Sequence, residues 1–347
     1  MNIRAAEPTI YNLNKAVSRL NSGGLVAFPT ETVYGLGADA ENPEAIASIY
    51  ATKNRPSNHP LIVHVAKNAN IEYWCANVSD NARALINAFW PGPLTLILPR
   101  SKNIPAEVSG GNPTIGIRCP SHPVAQQLLS MFAQSRKNVQ GGLAAPSANK
   151  FGHVSPTQAS HVIDEFSDLT SDKLMVLDGG ASDVGIESTI VDVSSADGRI
   201  IILRPGHILP EQIERVTGQQ LSAKTTESPQ VSGSLKAHYA PRNRLIVASA
   251  NQFVEVLTKL AKDNNTVAVA VLSQEAKVAV SKSGANVLCI HICSESSVKY
   301  AHELYDTLRK LDNSGASHIV FEQPTQTQEW QAINDRLGRA AAAFDLD

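Results

Sequence analysis

Leu25-Val26-Ala27-Phe28-Pro29-Thr30-Glu31-Thr32-Val33-Tyr34-Gly35-Leu36-Gly37 opens as an apolar run, breaks into a polar cluster and closes on glycines. Four apolar residues in succession read as a short strand buried on both sides. Pro29 ends the run, and Thr30-Glu31-Thr32 follow at its tip. In α/β proteins, the tips of buried strands are where ligand sites are assembled. The rhythm recurs in Leu61-Ile62-Val63-His64-Val65, Leu94-Thr95-Leu96-Ile97-Leu98 and Thr114-Ile115-Gly116-Ile117-Arg118, which read as further strands.

Helices are spaced among these strands. Residues 12–20 carry helical spacing, which Gly23-Gly24 terminates. Residues 43–52 form a second helix, which delivers Lys53 and Arg55 at or just beyond its end. Ser155-Pro156-Thr157-Gln158 has the makings of a helix start: a Ser cap, Pro at the first position and Gln at the capping-box place. Residues 188–193 and 200–203 are strands in a hairpin-like rhythm. Irregular mixing of many strands with fewer helices predicts a twisted mixed sheet rather than βαβ alternation.

From about residue 219 to 244, Ser, Thr, Lys, Gln and Pro dominate, which is linker chemistry. Beyond it the pattern becomes regular. Strands at 245–247, 267–272, 287–292 and 319–321 alternate with helices at 251–261, 298–311 and 330–342. This predicts a small parallel, Rossmann-like α/β domain of about 100 residues. No glycine fingerprint opens its first helix, so no cofactor is assigned to it.

A length of 347 residues exceeds what one core usually supports, so two domains are expected. With 43% hydrophobic and 18% charged residues, the composition is that of a globular protein. No apolar run approaches the roughly 20 residues of a membrane span, and the N-terminus has no apolar signal core. A net charge of −2 carries no global nucleic-acid signature. The four cysteines point to a reducing cytoplasm. In Cys289-Ile290-His291-Ile292-Cys293, alternation puts both thiols and the imidazole on one strand face. A metal site usually wants four ligands and no fourth is apparent, so no metal is assigned; a strand packed on both faces is expected.

No phosphate-binding P-loop motif exists, and Gly35-Leu36-Gly37 lacks the third glycine of a dinucleotide loop. Lys53, Arg55, Arg118 and Arg204 each lie near the end of an apolar element. Converging on one cleft, they would neutralise a triphosphate; dispersed, they are ordinary surface cations. Spacing alone leaves both readings open. Ser147 sits in no nucleophile elbow, and no Ser-His-Asp order emerges. Ser147 and Asn149, two apart on an extended stretch, share a side and suit the binding of polar ligand groups. His64 is either a ligand-contacting imidazole or a histidine satisfied by backbone.

Seven blocks together resemble a known family. They are Phe28-Pro29-Thr30-Glu31-Thr32-Val33-Tyr34-Gly35-Leu36, Lys53-Asn54-Arg55-Pro56 with Pro60-Leu61-Ile62-Val63-His64, and Trp90-Pro91-Gly92-Pro93-Leu94-Thr95. Ile115-Gly116-Ile117-Arg118, Ala145-Pro146-Ser147-Ala148-Asn149, Glu187-Ser188-Thr189-Ile190-Val191-Asp192 and Leu203-Arg204-Pro205-Gly206 complete the set. They look like the YrdC-type fold and follow that family's order across residues 10–210. The family is threonylcarbamoyl-AMP synthase, and the linker and C-terminal domain resemble its long form.

The resemblance implies a YrdC-like twisted mixed-sheet domain at 8–212, a linker or lid at 213–243, and a Rossmann-like domain at 244–347. It implies that L-threonine, bicarbonate or CO2, and ATP give threonylcarbamoyl-AMP and pyrophosphate. A downstream threonylcarbamoyl transferase complex would use the product on tRNA beside the anticodon, with weak tRNA binding by this chain also in view. Mg2+ would arrive on the triphosphate. By motif, Lys53, Arg55, Ser147 and Asn149 match the catalytic basic-and-polar set. Thr32, His64, Arg118 and Ser188 match threonine-binding positions, with Arg118 as a fork for the carboxylate. Asn58, Thr114, Arg204 and Tyr239 match nucleotide contacts, alongside Arg55, Ser147 and Asn149. Tyr239 lies in His238-Tyr239-Ala240-Pro241, which matches a segment that folds over the site; Ser232-Gly233-Ser234-Leu235-Lys236-Ala237 departs from the family's usual Pro-Gly-Met run just before it. A non-catalytic RNA-binding module of the same fold is the alternative. A hydrogenase-maturation carbamoyl-transfer domain shares the fold, but it brings cysteine pairs and further domains that this chain lacks.

Overall fold

The computed structural model describes residues 2–345, so the last two positions of the expected C-terminal domain, 346 and 347, lie outside it. The chain divides into two compact units, one of residues 1–151 and 155–234, the other of 152–154 and 235–347. None of the described helices is long and apolar enough to cross a membrane.

The first unit begins with β1 (Ala5–Ala6), α1 (Ile10–Asn21), β2 (Leu25–Phe28), β3 (Gly35–Asp39) and α2 (Pro43–Lys53). There follow β4 (Ile62–Val65), α3 (Ile71–Trp74), α4 (Asp80–Phe89), β5 (Leu94–Pro99) and β6 (Thr114–Arg118). Then come α5 (Pro123–Gln134), β7 (Gly142–Ala144), α6 (Ala159–Glu165), β8 (Leu174–Leu177), β9 (Thr189–Asp192), β10 (Ile201–Arg204) and α7 (Pro210–Thr217). The strands form one mixed sheet in the order β1-β8-β2-β3-β7-β4-β6-β5-β9-β10.

Alternation along each strand assigns side chains to opposite faces of this sheet. Ala27, Val63, Leu96, Ile117 and Val191 enter the main core on one face. On the other face, Val26, Phe28 and Leu143 pack under α1 and α5 through Leu13, Leu20, Leu128 and Phe132. Farther across that second face, a smaller cluster joins Ile97, Ile190, Ile201 and Leu203 to Val231 of the linker. The polar residues of interest stand between these two patches.

Ser155-Pro156-Thr157-Gln158 does not open a helix. The helix starts at Ala159, and Gln158 occupies its cap position. Ser155 and Thr157 are buried. The Ser155 hydroxyl donates to Glu187 Oε1 at 2.6 Å, and the carbonyls of Pro156 and Thr157 accept from Tyr34 N and Ser182 N. Long-range bonds hold the segment extended against its local preference.

The second unit contains β11 (Arg244–Ala248), α8 (Ala250–Lys262), β12 (Thr266–Val271), α9 (Gln274–Lys282), β13 (Asn286–Ile292), α10 (Ser297–Asp312), β14 (His318–Glu322) and α11 (Gln331–Ala341). Its four strands are all parallel, in the order β11-β14-β12-β13. The expected Rossmann-like alternation is present, with α9 as an added helix that periodicity had not suggested. The expectation that β13 packs on both faces fails. It is an edge strand, and Leu288, Ile290 and Ile292 are 48%, 54% and 62% exposed on its outer side.

Candidate active site

Register builds the site. His64 on β4 lies beside Arg118 on β6, Arg118 beside Thr95 on β5, Thr95 beside Ile190 on β9, and Ile190 beside Arg204 on β10. Directly paired residues share a face. Three strand pairings therefore line up a histidine, an arginine and a threonine on the second face; Arg204 pairs with Ile190 across a register shift and joins the row through its bonds to Ser188. Arg118 and Arg204 are thus buried on this face, 4% and 3% exposed, rather than dispersed as surface cations.

Next to His64 in the row, Arg118 is buried and held at both outer nitrogens. Its Nη1 donates to Thr32 Oγ1 at 2.7 Å, and its Nη2 donates to Glu31 Oε1 at 2.6 Å. The Glu31 carboxylate also accepts from Ser121 N at 3.0 Å. Both side chains of this ion pair are only 5% exposed. The guanidinium is thus not the open fork expected from sequence: Glu31 and Thr32 already hold each outer nitrogen, and each keeps one further hydrogen for a ligand. Thr30 organises the turn, donating to Val33 O at 2.6 Å and lying 2.9 Å from Thr32 Oγ1.

His64 is buried beside this pair. Burial, then the charge of Arg118, pushes its imidazole down to about 3, so it is neutral at physiological pH. Its Nδ1 lies 3.3 Å from Ile62 O. Because the folded value is below the unfolded 6.5, the unfolded chain takes up this proton first as pH falls. Stability is intact above the unfolded value and drains by about 1.4 kcal/mol per pH unit below it, as far as the folded value. Urea titrations from neutral to mildly acidic pH should show this slope, and His64→Asn should remove about one proton's worth of it. An unchanged slope would mean that His64 is protonated in the folded protein.

At the other end of the row, Thr95 and Ser188 hydroxyls meet at 2.7 Å. Arg204 donates from Nη2 to Ser188 O at 2.9 Å and to Ser188 Oγ at 3.2 Å. Its Nη1 donates to Ser232 O of the linker at 2.9 Å. Linker residues 229–232 close a recess floored by Ile62, Ile97, Thr114, Gly116 and Ile190. Gly116 stands in register between Ile62 and Ile97, and its missing side chain makes the floor shallow and flat there.

A second cluster forms where α2 ends. Asn54 takes the left-handed conformation, φ 52°, and separates Lys53 from Arg55. Lys53 Nζ donates to Ser147 O at 2.6 Å and to Asn149 O. The chain bends at 148–149 rather than running on as a strand, and the bend turns both carbonyls to one ammonium. Burial, then Arg55, holds this lysine well below its usual value. Arg55 donates to Pro60 O at 3.0 Å and lies over the Phe151 ring. Both cations stand at or just beyond the end of α2, as expected, but they are buried there instead of facing water: Lys53 is 1% and Arg55 7% exposed. Ser147 is half-buried and bridges Gly35 of β3. Asn149 donates to Lys150 O at 2.8 Å.

Asn58 is exposed on the turn beyond Arg55, and Thr114 is half-buried at the start of β6. Tyr239 belongs to the second unit. There it is buried, lies 5.6 Å from the Tyr305 ring, and has the Arg336 guanidinium over its own ring. Sequence reasoning named neither Glu31 nor Thr95, although both lie inside quoted blocks; the charge opposite Arg118 comes from 87 residues away.

Two family models match the chain. One, described as telomere recombination, matches residues 18–206, and the other, described as threonylcarbamoyl-AMP synthase, C-terminal domain, matches 208–342. The threonylcarbamoyl-AMP synthase of Bacillus subtilis is 37% identical over 334 residues, spanning 94% of this chain and 92% of that protein. The synthase of Pyrococcus abyssi is 32% identical over 343 residues, spanning 95% and 94%. Among solved structures, P. abyssi Sua5 complexed with L-threonine aligns with a TM-score of 0.83 at 31% identity, over 98% of this chain and 97% of that one. Matched along nearly its whole length and in both halves, this chain belongs to the threonylcarbamoyl-AMP synthase family in its long, two-domain form.

Proposed function

We propose that the first unit is an L-threonylcarbamoyladenylate synthase, a nucleotidyltransferase. The threonine amine nitrogen bonds to the carbon of CO2 with loss of a proton, or condenses with bicarbonate with loss of water, to give N-carboxythreonine. A carboxylate oxygen of this carbamate bonds to the α-phosphorus of ATP as the bond to the β-phosphate oxygen breaks, and pyrophosphate leaves. The observation that supports this best is the buried row from His64 through Arg118 and Thr95 to Ser188 and Arg204, which sets cations and hydroxyls side by side on one sheet face.

In this reading the Glu31–Arg118–Thr32 corner, with neutral His64 beside it, receives threonine. The remaining hydrogens of Arg118 meet the carboxylate, and Glu31 fixes the plane of the guanidinium. Ser188 and Arg204 lie between threonine and the nucleotide. Arg55 and the Ser147–Asn149 segment neutralise and orient the phosphates, and Lys53 holds that segment in place. Bringing amine, carbon source and phosphate together in one orientation is worth up to ~7–11 kcal/mol of the barrier. The flat apolar floor at Gly116 suits the nucleoside base, with Thr114 at its rim and Asn58 nearby.

Mg2+ prefers a set of oxygen ligands. Glu31 is committed to Arg118 and Ser121, and Glu187 accepts from Ser155. The site residues described here therefore fit a metal carried on the triphosphate better than one in a protein cage, and no step is assigned to it. The product would pass to a threonylcarbamoyl transferase complex acting on tRNA.

Pyrophosphate release from ATP that depends on both threonine and bicarbonate tests this reading, and release indifferent to either would sink it. A non-catalytic RNA-binding module would release none. Gly116→Ala adds a methyl group 3.3 Å from Ile97 Cδ1 and 3.4 Å from Ile62 Cγ1, so these side chains must shift by a few tenths of an ångström to receive it. ATP affinity should fall roughly tenfold, ~1.4 kcal/mol, while threonine affinity holds. Equal loss of both ligands would move the base elsewhere.

A further inference from the structure

The second unit carries a cluster that the proposed chemistry does not use. Alternation on β13 turns His291, and Cys293 just beyond the strand, to the same side. On α10, Tyr300, Glu303 and Thr307 are spaced by three and four and so share one helix face. Donor atoms of His291, Cys293 and Glu303 all lie within 4.8 Å of one another. His291 Nε2 is 3.7 Å from Glu303 Oε2. The other carboxylate oxygen is fixed by Ser294 N at 2.8 Å. Among the described residues, no other group of histidine, cysteine and acidic side chains has this spacing.

We propose that His291, Cys293 and Glu303 form a zinc site joining the edge strand β13 to α10. Zinc bonds to nitrogen and oxygen are ~2.0–2.2 Å and to sulfur ~2.3 Å, so a tetrahedron sets its donors ~3.3–3.7 Å apart. The His291–Glu303 spacing already meets that, and the thiol closes the rest by a small side-chain turn. A thiolate with an imidazole selects a borderline-soft cation over Mg2+ or Ca2+. With one thiolate, one carboxylate and a neutral imidazole, the dication is balanced, and the thiol proton leaves to solvent.

A second observation points to the same place. Tyr300 is 1% exposed, and its hydroxyl lies within hydrogen-bonding reach of the Cys293 thiol. A phenol in that place donates to a zinc-bound thiolate and orients it, the role of an outer partner to a metal ligand. Thr307 Oγ1, now 3.2 Å from His291 Nε2, would turn to the water in the open fourth position.

The test uses the full chain, stripped with a chelator and dialysed with zinc alone. One zinc per chain should remain, and Tm should rise on zinc addition. Cobalt substitution should produce a thiolate-to-cobalt charge-transfer band. Cys293→Ser should abolish the band, whereas Cys289→Ser, on the same strand, should keep it. Glu303→Gln, at a half-exposed position that should fold normally, should weaken zinc binding roughly tenfold or more and remove the Tm shift. No retained zinc in the wild type, equal retention in Glu303→Gln, or loss of the band in Cys289→Ser instead would overturn the site. The cluster would then be a His–Glu ion pair beside a core thiol.

Discussion

Arg118→Leu will destabilise the first unit by about 3–5 kcal/mol, the usual result of removing one partner from a buried ion pair. Glu31 would be left 5% exposed with its charge opposed by no guanidinium, and Ser121 N would remain as its donor. Chemical denaturation of the variant and of Arg118→Leu with Glu31→Gln separates the two possible sources of loss. If the stranded carboxylate is the cause, the double variant regains much of the stability. If it does not, packing around the guanidinium is what matters. Arg118→Lys is the functional companion. It keeps the charge but cannot reach Glu31 and Thr32 as a planar fork. Threonine affinity should weaken more than ATP affinity by calorimetry, and equal weakening would place Arg118 on the triphosphate.

Lys53→Met should cost both stability and turnover. The change keeps the length of the side chain but withdraws the donor that joins the Ser147 and Asn149 carbonyls. Each buried acceptor left without a partner costs about 1–3 kcal/mol. Pyrophosphate release should drop at least roughly tenfold, ~1.4 kcal/mol in the barrier. A double-mutant cycle distinguishes two roles. If Lys53 acts by holding the 147–149 segment, adding Ser147→Ala to Lys53→Met should reduce turnover little further. If the two groups act independently on phosphate, their effects should add. Wild-type turnover in a folded Lys53→Met protein would remove the residue from the site.

The strands were legible because each is an apolar run with a face to bury. Leu94-Thr95-Leu96-Ile97-Leu98 needs no partner to be recognised as a strand. The register that sets Thr95 between Arg118 and Ile190 is a property of three separate strands, and no local window contains it. For the same reason Arg118 was legible as a cation at a strand end while Glu31 was not legible as its counter-charge. Ser155 shows the opposite failure: its local sequence is a sound helix cap, and the Glu187 carboxylate outbids it. Lys53 misled through the α2 helix end, where a charge normally faces water; the carbonyls that draw it inward lie some ninety-five residues on. The C-terminal unit was easier, since regular alternation of strand and helix leaves little else for a parallel sheet to do.

The seat of the linker bears on nucleotide affinity. Val231 packs on Ile97 and Ile190, and Ser232 O takes Arg204 Nη1, so part of the proposed nucleotide surface is already in contact with the chain itself. With nucleotide bound as proposed, this tethered segment would act as an internal competitor at an effective concentration set by its length rather than by dilution. Apparent nucleotide affinity is then the intrinsic affinity scaled by the fraction of time the segment is displaced. Linkage makes the relation mutual: whatever loosens residues 229–232 tightens nucleotide binding by the same factor, and bound nucleotide frees the segment to take another position.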